Sequence, residues 1–442
     1  MFERPGRIEK LMQKKKSSLT LWLESAPAPL LATYSIAASF AVYFFMFAFR
    51  KPFAAAQYEG LKFLGTNFDL KTALVMSQVL GYGLCKYVGI KYCSEVTRAF
   101  RAWAMVLMIF LAEAALLLFA VLPTDWKVIA IFLNGFPLGM MWGLVVRYLE
   151  GRRTTELLIA GMSCSYIIAS GVFKDVGLAL MANFDLTEAW MPVTTGACFL
   201  LPFLLAVWFV NQVPEPNPLD VTARVRREPM SGPQRTVFVK RFFSGLALLL
   251  VVKFFLNAYR EFRDNFGVEI FQQLGCEGKS AIFTRAEIAV AFGVLAILAT
   301  LSFIKDNRRG LVAVFIIMAG GTLILGLSTI LLKTGLISGF QWMVLVGLGA
   351  YLAYVPMGAI VFDRLIAATG TVGTAVFAIY MVDAVGYTGT ISVMLYSELA
   401  QADLSVLDFF RGLTYFMSVL GTVLLLAGCL YFLHKSRPQK QS

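Results

Sequence analysis

The chain has 442 residues, of which 58% are hydrophobic and only 15% charged, and its 39 Lys and Arg against 27 Asp and Glu give a formal net charge of +12. Soluble domains carry about 25% charged and about 45–50% apolar residues, so a soluble multidomain enzyme is excluded, and so is a chain too polar to collapse. The one histidine, His434, stands near the C-terminal end, which argues against His-dependent acid–base catalysis and His-ligated metal sites.

What fits is an all-α integral membrane protein. From Phe2 to Lys16 the chain is basic and polar and no apolar h-region follows directly, so no cleavable signal is expected and residues 1–29 read as a basic cytoplasmic segment. A spanning helix needs about 20 mostly apolar residues. Stretches near 30–50, 70–90, 102–122, 126–146, 156–182 and 190–211 qualify, which makes 30–211 a first six-helix bundle. The polar stretch that follows holds Pro214, Pro216, Pro218, Pro229 and Pro233 with Arg224, Arg226 and Arg227, and reads as a basic cytoplasmic linker over 212–241. Six more stretches, near 243–265, 283–304, 311–332, 339–361, 371–397 and 409–433, form a second bundle over 242–433, and 434–442 is a cytoplasmic tail. Six spans, a linker and six spans is a common plan of secondary transporters. The six cysteines, Cys85, Cys93, Cys164, Cys198, Cys276 and Cys429, show no paired spacing and read as small apolar residues of packed helices.

Lys and Arg gather in one set of loops: Lys14, Lys15, Lys16, Lys91, Arg98, Arg101, Arg152, Arg153, the linker arginines, Lys305, Arg308, Arg309, Lys435 and Arg437. The opposite loops lean acidic, with Glu59, Asp69, Asp125, Asp185, Glu188, Glu269, Glu277, Glu398 and Asp403. The positive-inside asymmetry puts both termini in the cytoplasm of a chain in the cell (inner) membrane. Much of the +12 is thus a topology signal, and no compact basic domain is present to bind nucleic acid.

An internal repeat shows in the charges. Arg50 and Arg260 are 210 residues apart, Asp175 and Asp383 are 208 apart, and Arg147 and Arg364 are 217 apart. Offsets near half the chain fit two parallel six-helix repeats, in which equivalent positions of the first and seventh spans face each other. Charges inside spans are costly and are functional candidates by default. Arg50 and Lys51 close the first span and Lys86 sits late in the second. Lys174 and Asp175 lie in the fifth, Lys253, Arg260, Arg263 and Asp264 on the seventh, Glu287 in the eighth and Asp383 in the eleventh. Two facing guanidinium forks, Arg50 and Arg260, suit a phosphate or carboxylate. Lys253 lies seven residues before Arg260, two turns away on the same face. The bland alternatives are that Arg50 and Lys51 snorkel to headgroups, and that Arg260, Glu261, Arg263 and Asp264 pair within one helix. Arg263 and Asp264 are candidates for a gate, Asp175 and Asp383 for proton coupling, and Lys174 for a partner of Asp175. Gly135, Gly139 and Gly143, like Gly373, Gly386 and Gly389, suit close helix packing.

Four stretches resemble one known group. They are Tyr43–Lys51 (YFFMFAFRK), Tyr82-Gly83-Leu84-Cys85-Lys86-Tyr87, Asn134-Gly135 through Gly139-Met140-Met141-Trp142 to Arg147, and Gly373-Thr374-Ala375 through Gly386-Tyr387 to Gly389. Their order is similar to that of the major facilitator superfamily, and within it the organophosphate:phosphate antiporters. The resemblance implies the twelve-helix fold and places the phosphate-binding arginines on Arg50 and Arg260, with Lys51 and Lys86 as supporting charges. Tyr43 and Tyr166 join the expected lining; Tyr166 stands where that group carries a histidine.

The expected function is alternating-access transport of a small anionic, phosphorylated metabolite in exchange for phosphate. An empty cavity holding two arginines resists closure until a dianion neutralises it. Two alternatives stand beside it: a proton-coupled symporter of a carboxylate or neutral solute using Asp175 and Asp383, and a transport-silent sensor of a phosphorylated ligand. No cofactor, metal or catalytic residue set is expected, and the only partners expected are the anion and the lipid bilayer, around a monomer.

Overall fold

The computed structural model describes residues 17–95, 97–150, 152, 155–216, 232–276, 281–304, 306–369, 375–400 and 404–435. Lys14 to Lys16, Arg153, Arg224, Arg226, Arg227, Glu277, Lys305, Gly373, Thr374, Asp403 and Arg437 lie outside the described residues. A short helix α1 (Ser18–Ser25) precedes α2 (Ala28–Met46), α3 (Leu70–Glu95), α4 (Arg98–Val121), α5 (Lys127–Leu149), α6 (Thr155–Phe184) and α7 (Met191–Asn211). The second half runs through α8 (Gly232–Asn265), the short α9 (Gly267–Gln273), α10 (Ile282–Ala299), α11 (Asn307–Lys333) and α12 (Gly339–Ala359). It ends with the short α13 (Val361–Thr369), α14 (Ala375–Ala400) and α15 (Val406–Lys435). Among the described residues ten helices are apolar and long enough to cross a membrane. The two remaining spans, α3 and α14, each run 26 residues and carry charge, Lys71 and Lys86 on one and Asp383 and Glu398 on the other.

The packing repeats itself. In the first half the first span lies against the fifth and sixth, the second against the fourth, and the third against the fourth and sixth. In the second half the seventh lies against the eleventh and twelfth, the eighth against the tenth, and the ninth against the tenth and twelfth. The bundles meet where α6 packs on α10 and α3 on α14, the fifth span on the eighth and the second on the eleventh. These two interfaces exchange under the repeat, as a pseudo-two-fold axis along the membrane normal requires.

Glycines set the closest approaches. A side chain on Gly135 would run into the Gln78 carbonyl, and one on Gly81 into the Phe132 carbonyl, so α3 and α5 touch backbone to backbone. Gly389 does the same for α14 against the Phe254 carbonyl of α8. Small residues permit such contact in spans, where packing rather than apolar desolvation drives association.

The first span does not run straight through. Helix α2 stops at Met46, a 3₁₀ turn follows over Phe47–Phe49, and a second begins at Pro52 after Arg50 and Lys51. Pro52 has no amide hydrogen and cannot continue the ladder. The break leaves the carbonyls of Phe49 and Arg50 without helical partners, and two side-chain amides take them. Asn134 Nδ2 donates to the Phe49 carbonyl at 3.0 Å and to the Ala112 carbonyl of α4 at 3.1 Å. Gln78 Nε2 donates to the Arg50 carbonyl at 3.0 Å and to Asn134 Oδ1 at 2.9 Å. The backbone contact of α3 with α5 is what brings Gln78 and Asn134 together.

Candidate functional site: a basic cavity between the bundles

A cavity of about 70 Å³, room for a few waters, lies between the bundles. Arg50, Lys86, Lys253, Arg260 and Asp383 line it, as do Tyr43 and Tyr166. The structure therefore brings seven of the sequence-nominated residues into one space. Neither arginine reaches out to headgroups, since Arg50 is 5% exposed and Arg260 8%.

Aromatic rings carry the cations. The Arg50 guanidinium lies 4.3 Å from the centroid of Tyr82, and the Lys86 ammonium 5.0 Å from the same ring. Across the cavity Tyr354 sits 3.8 Å from the Lys253 ammonium and 4.5 Å from the Arg260 guanidinium. Each pair shares one ring, a favourable placement for cations taken out of water. The hydroxyls of Tyr43 and Tyr82 hydrogen-bond at 3.1 Å, and Tyr166 packs edge-on or tilted against Tyr43, Trp142, Tyr351 and Tyr354. The Lys253 ammonium pairs with Asp383 at 3.1 Å.

The two arginines meet at Glu261. Its Oε1 accepts from the Arg260 Nη2 and lies 3.5 Å from the Arg50 Nη2, so a single carboxylate oxygen reaches both guanidinium groups. Glu261 is 1% exposed, and its Oε2 is 3.6 Å from the Lys51 ammonium. Meanwhile, among the described residues, the buried Nε atoms of Arg50 and Arg260 have no hydrogen-bond partner. The site thus holds two arginines already shaped around one anionic oxygen, with further donors to spare.

The other nominated residues stand apart from the cavity, towards the face opposite the chain termini. Lys51, expected beside the ligand, is turned away because Asp264 holds its ammonium at 2.6 Å and Asn265 accepts from it at 3.0 Å. Lys174 does not pair with Asp175; its ammonium also lies 2.6 Å from Asp264. Asp264 therefore binds two lysines of the first bundle from the seventh span. Lys71 and Glu269 form a further ion pair across the same gap. Asp175 accepts hydrogen bonds from both the amide and the hydroxyl of Thr284 at the start of α10. Arg263 pairs within the second bundle, with Glu287 at 2.7 Å and the Met343 carbonyl at 2.9 Å, rather than with the adjacent Asp264. Two residues that complete the site, Gln78 and Tyr354, do not stand out in the sequence, and two others, Asn134 and Glu261, stand out only as part of a span motif and as a charge expected to pair within its own helix. The offset of 212 from Trp142 to Tyr354, both lining the cavity, is the signal that would have found one of them.

Two pseudo-symmetric bundles enclosing a basic cavity have the fold of the major facilitator transporters. Solved structures share it: a point mutant of the nucleoside transporter NupG matches at 15% identity and TM-score 0.57, covering 91% of this chain and 100% of that one. A D-xylose-proton symporter matches at 14% identity and TM-score 0.58, covering 93% and 98%. A POT family transporter in complex with a thioalcohol conjugated peptide matches at 13% and TM-score 0.59, covering 91% and 96%. By sequence the chain belongs to the family of unknown function DUF5690, whose model matches residues 52–435. No curated protein matches it by sequence.

Proposed function

We propose that this protein is a secondary transporter of a small phosphorylated metabolite, working by alternating access in exchange for phosphate. The observation that carries the reading is Glu261 Oε1 lying between Arg50 and Arg260: a tetrahedral phosphate presents several such oxygens to the same forks. Four cations, Arg50, Lys86, Lys253 and Arg260, and one carboxylate, Asp383, line the cavity, and Glu261 reaches both arginines from behind it. The positive surplus of the lining suits an anion. The resemblance of the first, second, fourth and eleventh spans to the organophosphate:phosphate antiporters supports the same class. Glu261 acts as the resident counter-ion of the empty site, and an arriving phosphate competes with it for both arginines.

The ion pairs of Asp264 with Lys51 and Lys174 belong to the gate at the face opposite the termini. We place both termini in the cytoplasm of a cell membrane, which makes that gate the outer one. The test is counterflow in proteoliposomes loaded with phosphate and offered labelled hexose phosphate outside. Exchange is expected, with Arg50→Lys and Arg260→Lys each lowering it at least tenfold, because a lysine cannot reproduce the bidentate fork. Absence of exchange, or exchange indifferent to both substitutions, refutes the reading.

A further inference from the structure

We propose that Glu113, on the third span and outside the cavity, is a proton-binding carboxyl whose protonation is tied to the position of Arg50. It is the one acidic residue of α4. At 1.5 Å per residue it lies about 22 Å from Arg98 and about 12 Å from Val121, well inside the apolar length of the span. Among the described residues its Oε2 is buried and has no hydrogen-bond partner. The carboxyl fits against Gly196 of α7, where any side chain would collide with Oε2 and with the ring of Phe49.

The surroundings supply no counter-charge. Helix α4 packs on α5, on α7 and on the 3₁₀ turn Phe47–Phe49. Helix α7 carries no charged residue; its titratable group is the exposed Cys198. On α5 the charged residues are Lys127 and Arg147, one at each end, and its Tyr148 hydroxyl donates to Asn211. Lys127 is held by the Phe119 carbonyl, and Arg147 lies 3.8 Å from Glu150. On α4 itself Arg98 and Arg101 occupy the far end, and Arg101 donates to the Arg147 carbonyl. The 3₁₀ turn has no charge, and Arg50 beyond it points to Glu261. Glu113 is half-buried on a span that lipid surrounds, and no cation stands beside it among the described residues, so the protonated form is the one this setting favours.

The link to the cavity is a hydrogen bond. Asn134 Nδ2 donates both to the carbonyl of Ala112, the residue before Glu113, and to that of Phe49, the residue before Arg50. Phe49 also abuts Gly196. Ionisation of Glu113 requires the α4–α7 contact to admit water or a cation. That movement pulls on the same amide that seats the Arg50 turn. One proton bound at Glu113 therefore favours the arginine placement seen here. The coupling part rests on the anion reading of Arg50; the proton site does not.

Two measurements on the full chain in liposomes test this. Dicyclohexylcarbodiimide, which attacks protonated carboxyls in apolar surroundings, is followed by peptide mass spectrometry. Glu113 is expected to be modified about tenfold more than Glu261 or Asp264, the factor that one pH unit of separation in ionisation gives. Gly196→Ala, which crowds the niche, is expected to lower that labelling. Sparing of Glu113, or equal labelling of all three, overturns the proton site. The second measurement is phosphate–phosphate exchange across neutral pH. Glu113→Gln, a permanent mimic of the protonated form, is expected to flatten the profile of the unsubstituted protein, and a profile that overlays it overturns the coupling. Labelling at Glu113 without any phosphate exchange refutes the anion reading and leaves the proton site standing.

Discussion

Replacing Asp264 by asparagine is the sharpest test of the gate. Its carboxylate lies 2.6 Å from both the Lys51 and Lys174 ammonium groups and accepts from the Ser170 hydroxyl, with all three partners on the first bundle. Without it the partners fare unequally. Lys51 keeps Asn265 at 3.0 Å and Glu261 at 3.6 Å, whereas Lys174 keeps, among the described residues, only the Asp264 backbone carbonyl as a hydrogen-bond acceptor. Breaking a buried pair by removing one partner costs about 3–5 kcal/mol. Taking the low end, about 3 kcal/mol shifts the balance of closed and open forms of this face by about a hundredfold. The cost falls on closure rather than on the folding of either bundle, because these bonds cross between them. Spin labels at Ala182 on α6 and Gln272 on α9, both lining a cleft at this face, report the separation by pulsed electron resonance. Asp264→Asn is expected to move the population to longer distances, and adding Lys174→Met is expected to restore much of the short one, since no buried ammonium is then stranded. An unchanged distance distribution accompanied by a lower melting temperature would show that the cluster holds a bundle together instead, and the gate reading would fail.

Two further outcomes follow from the first bundle. Asn134→Ala leaves the Phe49 carbonyl without its donor and takes one of two acceptors from the Gln78 amide, while the Ala112 carbonyl keeps its place in the α4 ladder; a buried carbonyl left unpaired costs about 1–3 kcal/mol, so a lower thermal midpoint and at least tenfold weaker phosphate binding by calorimetry are expected, whereas full retention of both would remove Asn134 from the support of Arg50. Gly135→Ala places a methyl group against the Gln78 carbonyl. It is expected to destabilise the bundle by about 1–3 kcal/mol, as overpacking does, read as a lower midpoint in a thiol-reactive dye melt.

The sequence carries the spans and the repeat because both are long-range averages: runs of about 20 apolar residues and a charge offset near 210. It also carries Arg50 and Arg260, since a guanidinium in a span is rare enough to notice. Partner choice is a different matter. Glu261, Arg263 and Asp264 lie within four positions on α8, and helical spacing alone suggests local pairs. Only the placement of α6 and α10 beside the end of α8 decides that Asp264 takes Lys174 and that Arg263 takes Glu287, while Glu261 keeps its local partner Arg260 and reaches Arg50 as well. Lys51 is the clearest instance. It sits next to Arg50 in the chain, but the break before Pro52 swings it out of the cavity towards Asp264. The roles of Gln78 and of Asn134, the latter noticed only as part of a span motif, were illegible for a related reason: an amide side chain matters here because it meets carbonyls freed by that break, and no pattern of residue types announces a break.

The first and seventh spans are equivalents, yet they hold their arginines differently. Arg260 rides on an unbroken helical turn of α8, whereas Arg50 stands at the end of a short 3₁₀ turn suspended from two side-chain amides. If the bundles rock as proposed, Arg260 moves with its helix, while Arg50 hangs from a joint that can give. On that reading the clamp has one rigid jaw and one sprung jaw, and variation in head-group shape is expected to be absorbed on the Arg50 side.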